Sequence, residues 1–199
     1  MTDHYYTQKP TVKHDVREIE FQVGDRKLRL MTDAGVFSKN EVDFGSRLLI
    51  ETMVLPAKAR VLDVGCGYGP IGLSAAFKYP SGHVTMVDIN ERAVELSRQN
   101  AERNGIRNVS VLQSDKLEAV KTEKFDVVLT NPPIRAGKQT VHAIFEEAYE
   151  CLNPGGALWV VIQKKQGSPS ALAKMEELFG EAEEVTKDKG YRILRAFKK

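Results

Sequence analysis

One short run in the chain has residue types and an order suited to chemistry at a nitrogen: Asn131-Pro132-Pro133-Ile134, directly after the apolar stretch Phe125-Asp126-Val127-Val128-Leu129-Thr130. Two successive prolines fix φ and exclude helix, so the Asn131 side chain and the Pro132 carbonyl can be held toward one point. An aryl amine or an amide nitrogen is a poor nucleophile because its lone pair is delocalised into the attached π system. Hydrogen bonds from both of its N–H groups to a pair of acceptors would orient it and favour the pyramidal geometry of a transfer transition state. An electrophile must then sit in line, about 3 to 3.5 Å away, which is a positioning task. The plain alternative is a rigid Asn-Pro turn at the end of a strand.

A second run speaks to what would be held there. Val61-Leu62-Asp63-Val64-Gly65-Cys66-Gly67-Tyr68-Gly69-Pro70-Ile71-Gly72 joins an apolar strand to a helix, the place where doubly wound sheets bind ligands. Glycines let the backbone approach a ligand closely, and Gly67, Gly69 and Gly72 also satisfy G-x-G-x-x-G, so a dinucleotide remains open on this loop alone. Asp88 follows about 20 residues later at the end of Val84-Thr85-Met86-Val87, where a carboxylate can accept from two ribose hydroxyls. It is followed by Ile89, and capping of the next helix is its structural alternative. Ser114-Asp115-Lys116, after a third strand, adds polar groups at the same sheet edge, where a carboxylate can accept from an adenine amino group.

These loops need a sheet to bring them together. Arg60–Val64, Val84–Val87, Val109–Leu112, Phe125–Leu129 and Leu158–Ile162 are short apolar runs separated by helix-length segments, which predicts a parallel sheet with helices on both faces. The clearest helix has Asn90 as its cap, Ala93, Leu96 and Ala101 spaced for burial, and Asn104-Gly105 as its stop. Leu172, Met175, Leu178 and Phe179 predict another, and Tyr191–Phe197 reads as a closing antiparallel strand. Before the core, apolar alternation from Arg17 to Leu30 around Gly24-Asp25 predicts a small β hairpin. Ser38-Lys39-Asn40-Glu41 has capping-box spacing, and Leu48, Leu49, Thr52 and Met53 then form the buried stripe of a helix ending before Pro56. The expected class is α/β, a Rossmann-like, doubly wound, mainly parallel sheet. A single domain over 1–199 is expected, with a hairpin and helix extension at 1–55 and a catalytic core at 56–199.

The 199 residues suit one compact domain. A net charge of +2 is far from that of a protein coating nucleic acid without specificity. Cys66 and Cys151 are too few and too far apart for a disulfide framework, and His4, His14, His83 and His142 lack metal spacing, so no metal is expected. Met1-Thr2-Asp3-His4 lacks a basic stretch followed by an apolar one, and no apolar run reaches about 18 residues, which points to a cytoplasmic protein without membrane partners.

Asp63–Gly69, Asp88 and Asn131–Ile134 together resemble class I S-adenosylmethionine-dependent methyltransferases of amino or amide nitrogens. Gly35-Val36-Phe37-Ser38-Lys39, Asp43-Phe44-Gly45-Ser46-Arg47-Leu48-Leu49 and Ile134-Arg135-Ala136-Gly137-Lys138 narrow the resemblance to the RsmC type, in its single-domain Bacillus-like form. The resemblance covers most of the chain. It implies methylation of a guanine 2-amino group in small-subunit ribosomal RNA, with ribosomal RNA or the small subunit as partner. Asn131, Pro132, Pro133 and Ile134 are then the catalytic run. Asp63, Gly65, Cys66, Gly67, Gly69, Asp88, Ile89, Ser114, Asp115, Lys116 and Asn131 hold S-adenosylmethionine, while Phe37, Lys39, Arg135 and Lys138 meet the substrate. Relatives often carry an aromatic residue where this chain has Ile134, so Phe37 is assigned the stacking role. Asp43 and Ser46 are implied near the methionine end of the cofactor, with a first-turn helix role as the alternative. Lys187, Lys189, Arg192, Arg195, Lys198 and Lys199, with Lys164 and Lys165, are either phosphate contacts or a solvated face. Three rival readings stay open: a protein glutamine N-methyltransferase, a non-catalytic ribosome-assembly factor that keeps the cofactor pocket, and an NAD-dependent oxidoreductase. The last gives Asn131 no task.

Overall fold

The computed structural model describes residues 4–199; Met1 to Asp3, on which the reading of the leader region partly rests, lie outside the described residues. Two strands, β1 (Arg17–Val23) and β2 (Arg26–Thr32), form the expected hairpin about Gly24-Asp25, burying Phe21, Val23, Leu28 and Leu30 on one face. Helix α1 (Phe44–Thr52) precedes the alternation β3 (Arg60–Val64), α2 (Pro70–Lys78), β4 (His83–Asp88), α3 (Glu91–Arg103), β5 (Val109–Gln113), β6 (Phe125–Thr130), α4 (Lys138–Cys151), β7 (Leu152–Gln163) and α5 (Ser168–Phe179). The chain closes with β8 (Glu183–Asp188) and β9 (Tyr191–Phe197).

The seven-stranded sheet runs β5-β4-β3-β6-β7-β9-β8, parallel from β5 through β7 and antiparallel at its last two pairings. Central strands buried on both faces read as unbroken apolar runs, and Val127 to Leu129 and Leu158 to Ile162 are such runs. One apolar cluster lies beneath α1, α2, α3 and the hairpin, and a second lies beneath α4 and α5. The hairpin is fastened to α3 by Asn100, which accepts from Met31 N (2.7 Å) and donates to Met31 O (3.0 Å) and Tyr68 O (2.8 Å).

One expectation needs correction. The Ser38–Glu41 capping box does not form: Ser38 has φ 56° and its hydroxyl donates to Glu41 O, making a turn. The helix begins later, with Asp43 accepting from Ser46 N at 3.0 Å, and its buried stripe is Leu49 and Ile50, with Met53 at the cap. The shift arises because a carboxylate three residues before a free N–H caps as well as serine does. At the other end, β9 forms as the expected antiparallel closing strand over Tyr191–Phe197, and the edge strand β8, which was not expected, lies beside it. The β8 sequence, EEVTKD, is charged and mostly exposed, the composition that keeps an edge from pairing with other chains and that hides a strand from apolar patterning.

Gly72 fixes how closely α2 lies on the sheet. A Cβ there would sit 2.7 Å from Met86 Cγ and 2.8 Å from Asp63 Oδ2. Gly72→Ala is expected to destabilise the protein by about 1–3 kcal/mol, as overpacked sites do, lowering Tm by roughly 3–10 °C. A thermal scan in which Tm does not move would show that α2 can lift without cost.

Candidate functional site

Loops after β3, β4, β5 and β6 all leave the carboxyl edge of the sheet, and the order reverses between β3 and β6, so a crevice opens there. The crevice is a cavity of about 470 Å³, within the range of small-molecule sites. Gly65, Cys66 and Gly67 form its floor, Asp88 and Ile89 one wall, Ser114, Asp115 and Lys116 the next, and Asn131 with Pro133 the opposite one. Phe37 and Arg135 reach it from the rim.

The loop is held open by specific bonds. Gly65 and Gly67 lie at φ 74° and 58°, which side chains rarely adopt, and a Cβ at either would meet no protein atom within 4 Å. Ser97 Oγ donates to Gly67 O at 2.7 Å, fixing the loop to α3. Tyr68, almost wholly buried, donates toward Ser38 O and Glu41 O, tying the loop to the turn that carries Phe37.

Asp88 accepts from Gly67 N at 2.8 Å through one oxygen and from Asn90 N at 2.9 Å through the other. The Ile89 backbone donates a third bond, and the remaining acceptor capacity is what a ligand hydroxyl could use. Burial raises its carboxyl to about 6, against the lowering effect of these backbone bonds. Asn90 performs the expected capping, accepting from Arg92 N and Ala93 N, and its amide group donates to Tyr5 O and Gly35 O.

Asn131 is the best-restrained side chain at the mouth. Its Nδ2 donates to Asp43 Oδ2 at 2.9 Å and to Ser46 Oγ at 3.0 Å. Both amide protons are thereby engaged, and Oδ1 is the end left to accept from a ligand. Asp43 and Ser46 themselves line the cavity, so the α1 cap and the Asn131 contact are made by the same two residues.

Several expected site residues lie elsewhere. Asp63 is buried beneath the loop, where one oxygen accepts from Gly72 N at 2.9 Å and the other has no partner. Desolvation raises its carboxyl to about 7. It supports the α2 start instead of lining the cavity. Gly69, at φ 108°, turns toward Leu73 and Met86 as the α2 cap. Pro132 is buried behind Asn131 and Pro133, so the expected second acceptor belongs to a residue outside the cavity lining. Ile134 and Lys138 line a separate small cavity with His142 and Ser170, because the 3-10 turn Ile134–Ala136 carries the chain around to α4. Lys39 is drawn away by Asp15, 2.9 Å distant. Among the basic residues of the C-terminal end, Arg192, Arg195 and Lys199 pair with Glu184, Glu183 and Glu181.

The sequence reading missed Tyr5 and Tyr6, which line the cavity. The Tyr5 ring lies 5.1 Å from that of Phe37, and its hydroxyl meets the Arg135 backbone. Burial raises the Tyr5 hydroxyl pKa. Two tyrosines in a polar stretch carry no local signal for such a place, because the folding back of the chain over α3 puts them there.

Residues 27–195 match the model of the methyltransferase small domain. The chain belongs to that family. It is 54% identical to the Bacillus subtilis protein YbxB over the full length of both. It is 35% identical to the Escherichia coli ribosomal RNA small subunit methyltransferase C, with 85% of this chain and 49% of that one covered. A ribosomal RNA large subunit methyltransferase G from Streptomyces avermitilis is also 35% identical, over 83% of this chain and 44% of its own length. This methyltransferase small domain thus spans about half the length of those two enzymes. Among solved structures, the Thermus thermophilus 16S rRNA N2 methyltransferase RsmC, in complex with AdoMet and guanosine, superposes with a TM-score of 0.82 at 28% identity, over 96% of this chain and 52% of that one. Membership in a methyltransferase family leaves the oxidoreductase reading without support.

Among the described residues, no helix is long and apolar enough to cross a membrane, and no group of three or more His, Cys, Asp or Glu could hold a metal ion.

Proposed function

We propose that this protein transfers a methyl group from S-adenosylmethionine to a nitrogen of ribosomal RNA, with the 2-amino group of a guanine as the target. The observation that carries the reading is Asn131, its amide protons engaged and its oxygen free, facing a nucleoside-sized cavity whose other wall is Asp88. The residues present fit the cofactor. The buried Asp88 carboxylate suits two ribose hydroxyls, the Gly65–Gly67 backbone admits close approach, and Ser114 and Asp115 lie where an adenine edge would end. When bound, S-adenosylmethionine supplies a sulfonium methyl that a weak nucleophile can take.

The chain's own residues do the rest. Asn131 Oδ1 accepts from one N–H of the target amine and points its lone pair toward the methyl. The nitrogen becomes acidic as the N–C bond forms, so its surplus proton can leave to water and no strong base is needed. Phe37, 40% exposed at the rim, offers a face for the target base. Arg135 lines the cavity, and Lys164, Lys165, Lys187 and Lys189 at the β7 and β8–β9 ends are the further candidates for phosphate contact; Lys164 N donates to Gly190 O, which brings these segments together. Such a protein works in the cytoplasm, on free rRNA or on the small subunit. Two features support RNA: the names of the relatives and the guanosine held by the RsmC structure.

The test is transfer of labelled methyl from S-adenosylmethionine to naked ribosomal RNA, to 30S particles and to a protein extract. Label in 2-methylguanine from RNA or 30S supports the proposal. Label in glutamine of a protein selects the glutamine reading, and cofactor binding without transfer to any substrate selects the assembly-factor reading.

A further inference from the structure

Asn131 has an ambiguity built into its chemistry. A carboxamide is nearly symmetric in shape, and one end accepts hydrogen bonds while the other donates. Only the accepting end can hold an amine whose own groups are donors. A half-turn about the last side-chain bond would present two N–H groups to the substrate and abolish the contact. Neither the double proline nor the strand before it distinguishes the two orientations, since both act on the backbone.

The neighbouring side chains do distinguish them. Asp43 Oδ2 lies 2.9 Å from Asn131 Nδ2, and an ionised carboxylate is acceptor-only, so the group facing it must be the NH2. Ser46 Oγ, 3.0 Å from the same nitrogen, can donate or accept and follows whichever orientation is imposed. Asp43 is itself fixed from three directions. Ser46 N donates to Oδ2 at 3.0 Å, the Tyr191 hydroxyl donates to Oδ1 at 3.3 Å, and the start of α1 holds the backbone. Tyr191 reaches this point because Gly45 has no side chain: a Cβ there would lie 2.7 Å from the tyrosine ring. Residues from α1, from the end of β6 and from the start of β9 thus converge on one oxygen pair.

We propose that Asp43 is a positioning residue that sets the orientation of the Asn131 carboxamide, turning its oxygen toward the amine to be methylated. The inference rests on the proposed role of Asn131 and adds the group that makes that role possible. It also gives the shared use of Asp43 a reason: one carboxylate caps α1 and orients Asn131, so the helix start and the acceptor keep a fixed relation.

Two substitutions separate orientation from helix capping. Asp43→Ser keeps a good N-cap, but its hydroxyl is too short to span to Asn131. Asp43→Asn is nearly isosteric and can keep an oxygen toward Asn131. In the intact protein, Asp43→Ser is expected to lower kcat by about 10- to 100-fold, as loss of orientation does. The affinity for S-adenosylhomocysteine and the KM for S-adenosylmethionine should stay within about twofold of the parent, and Asp43→Asn should restore most of kcat. In an Asn131→Ala background, Asp43→Ser should cost nothing further, since its effect passes through a side chain no longer present. Exchange of the Asn131 side-chain amide protons, followed by NMR with labelled asparagine, should be slow in the parent and fast in Asp43→Ser. This last measurement needs no methyl transfer, so slow exchange without transfer to any substrate would retire the proposed reaction and leave the orienting contact standing. Unchanged kcat or unchanged amide exchange in Asp43→Ser would overturn the proposal. A tenfold or greater loss of S-adenosylhomocysteine affinity in both variants would also overturn it, by assigning Asp43 to the cofactor.

Discussion

Asn131→Ala should lower kcat by about 10²- to 10³-fold while S-adenosylhomocysteine affinity stays within about threefold of the parent. The magnitude is that found when one preorganised hydrogen-bonding group is removed from a site of charge development. Its cause is specific. As the nitrogen gains a fourth bond, positive charge grows on it and its N–H groups become stronger donors, so a fixed acceptor binds the transition state more tightly than the ground state. Cofactor binding is spared because Asp88 and the glycine loop lie on the other wall of the cavity. Single-turnover transfer and calorimetry of S-adenosylhomocysteine binding separate the two quantities. Equal turnover in parent and variant would remove Asn131 from the reaction, and equal losses in turnover and affinity would make it a cofactor contact.

The second large effect belongs to Asp88. On the proposed reading Asp88→Ala removes a buried acceptor for ribose hydroxyls, and hydrogen bonds to a charged group are worth about 1.5–3 kcal/mol each. Allowing for incomplete loss, about 3 kcal/mol corresponds to roughly 100-fold weaker S-adenosylhomocysteine binding. The same carboxylate predicts a pH dependence. The ligand binds the ionised form, and the carboxyl of the free protein titrates at about 6. Affinity is therefore flat above about pH 7 and falls by up to tenfold per unit below about 6, because the proton must be expelled before hydroxyls can donate. Asp63, raised to about 7 by burial, is the neighbouring carboxyl that could blur the profile. Asp88→Asn distinguishes them, since it should bind weakly at every pH and lose the fall below 6. A fall that persists in Asp88→Asn would assign it to Asp63.

Comparison of the expected and observed elements shows where local information ended. β3 to β7, α3 with its Asn90 cap, α5 and the hairpin could be read because a single period of buried residues marks each of them. β8 could not, since an exposed edge strand has no apolar period to show. The start of α1 was displaced because two capping patterns lie within six residues, Ser38 and Asp43, and only the packing of Tyr68 on the Ser38–Glu41 turn selects the later one.

The same boundary runs through the site. That Gly65, Gly67, Asp88 and Asn131 line one cavity was legible because it follows from backbone conformation and from position at a strand end, both of which are local properties of the chain. Whether a residue beside them faces the cavity depends on directions set by packing tens of residues away. Gly72 pulls α2 down onto Asp63, Asp15 takes Lys39, and the turn after Pro133 swings Ile134 and Lys138 to another surface. The two groups that accept from the Asn131 amide, Asp43 and Ser46, lie more than 80 residues before it. Sequence alone thus determined an α/β chain with a glycine loop and an Asn-Pro-Pro run at the same sheet edge. Only the folded chain decided which way the acceptor points, because that choice is made by contacts between segments that the sequence keeps apart.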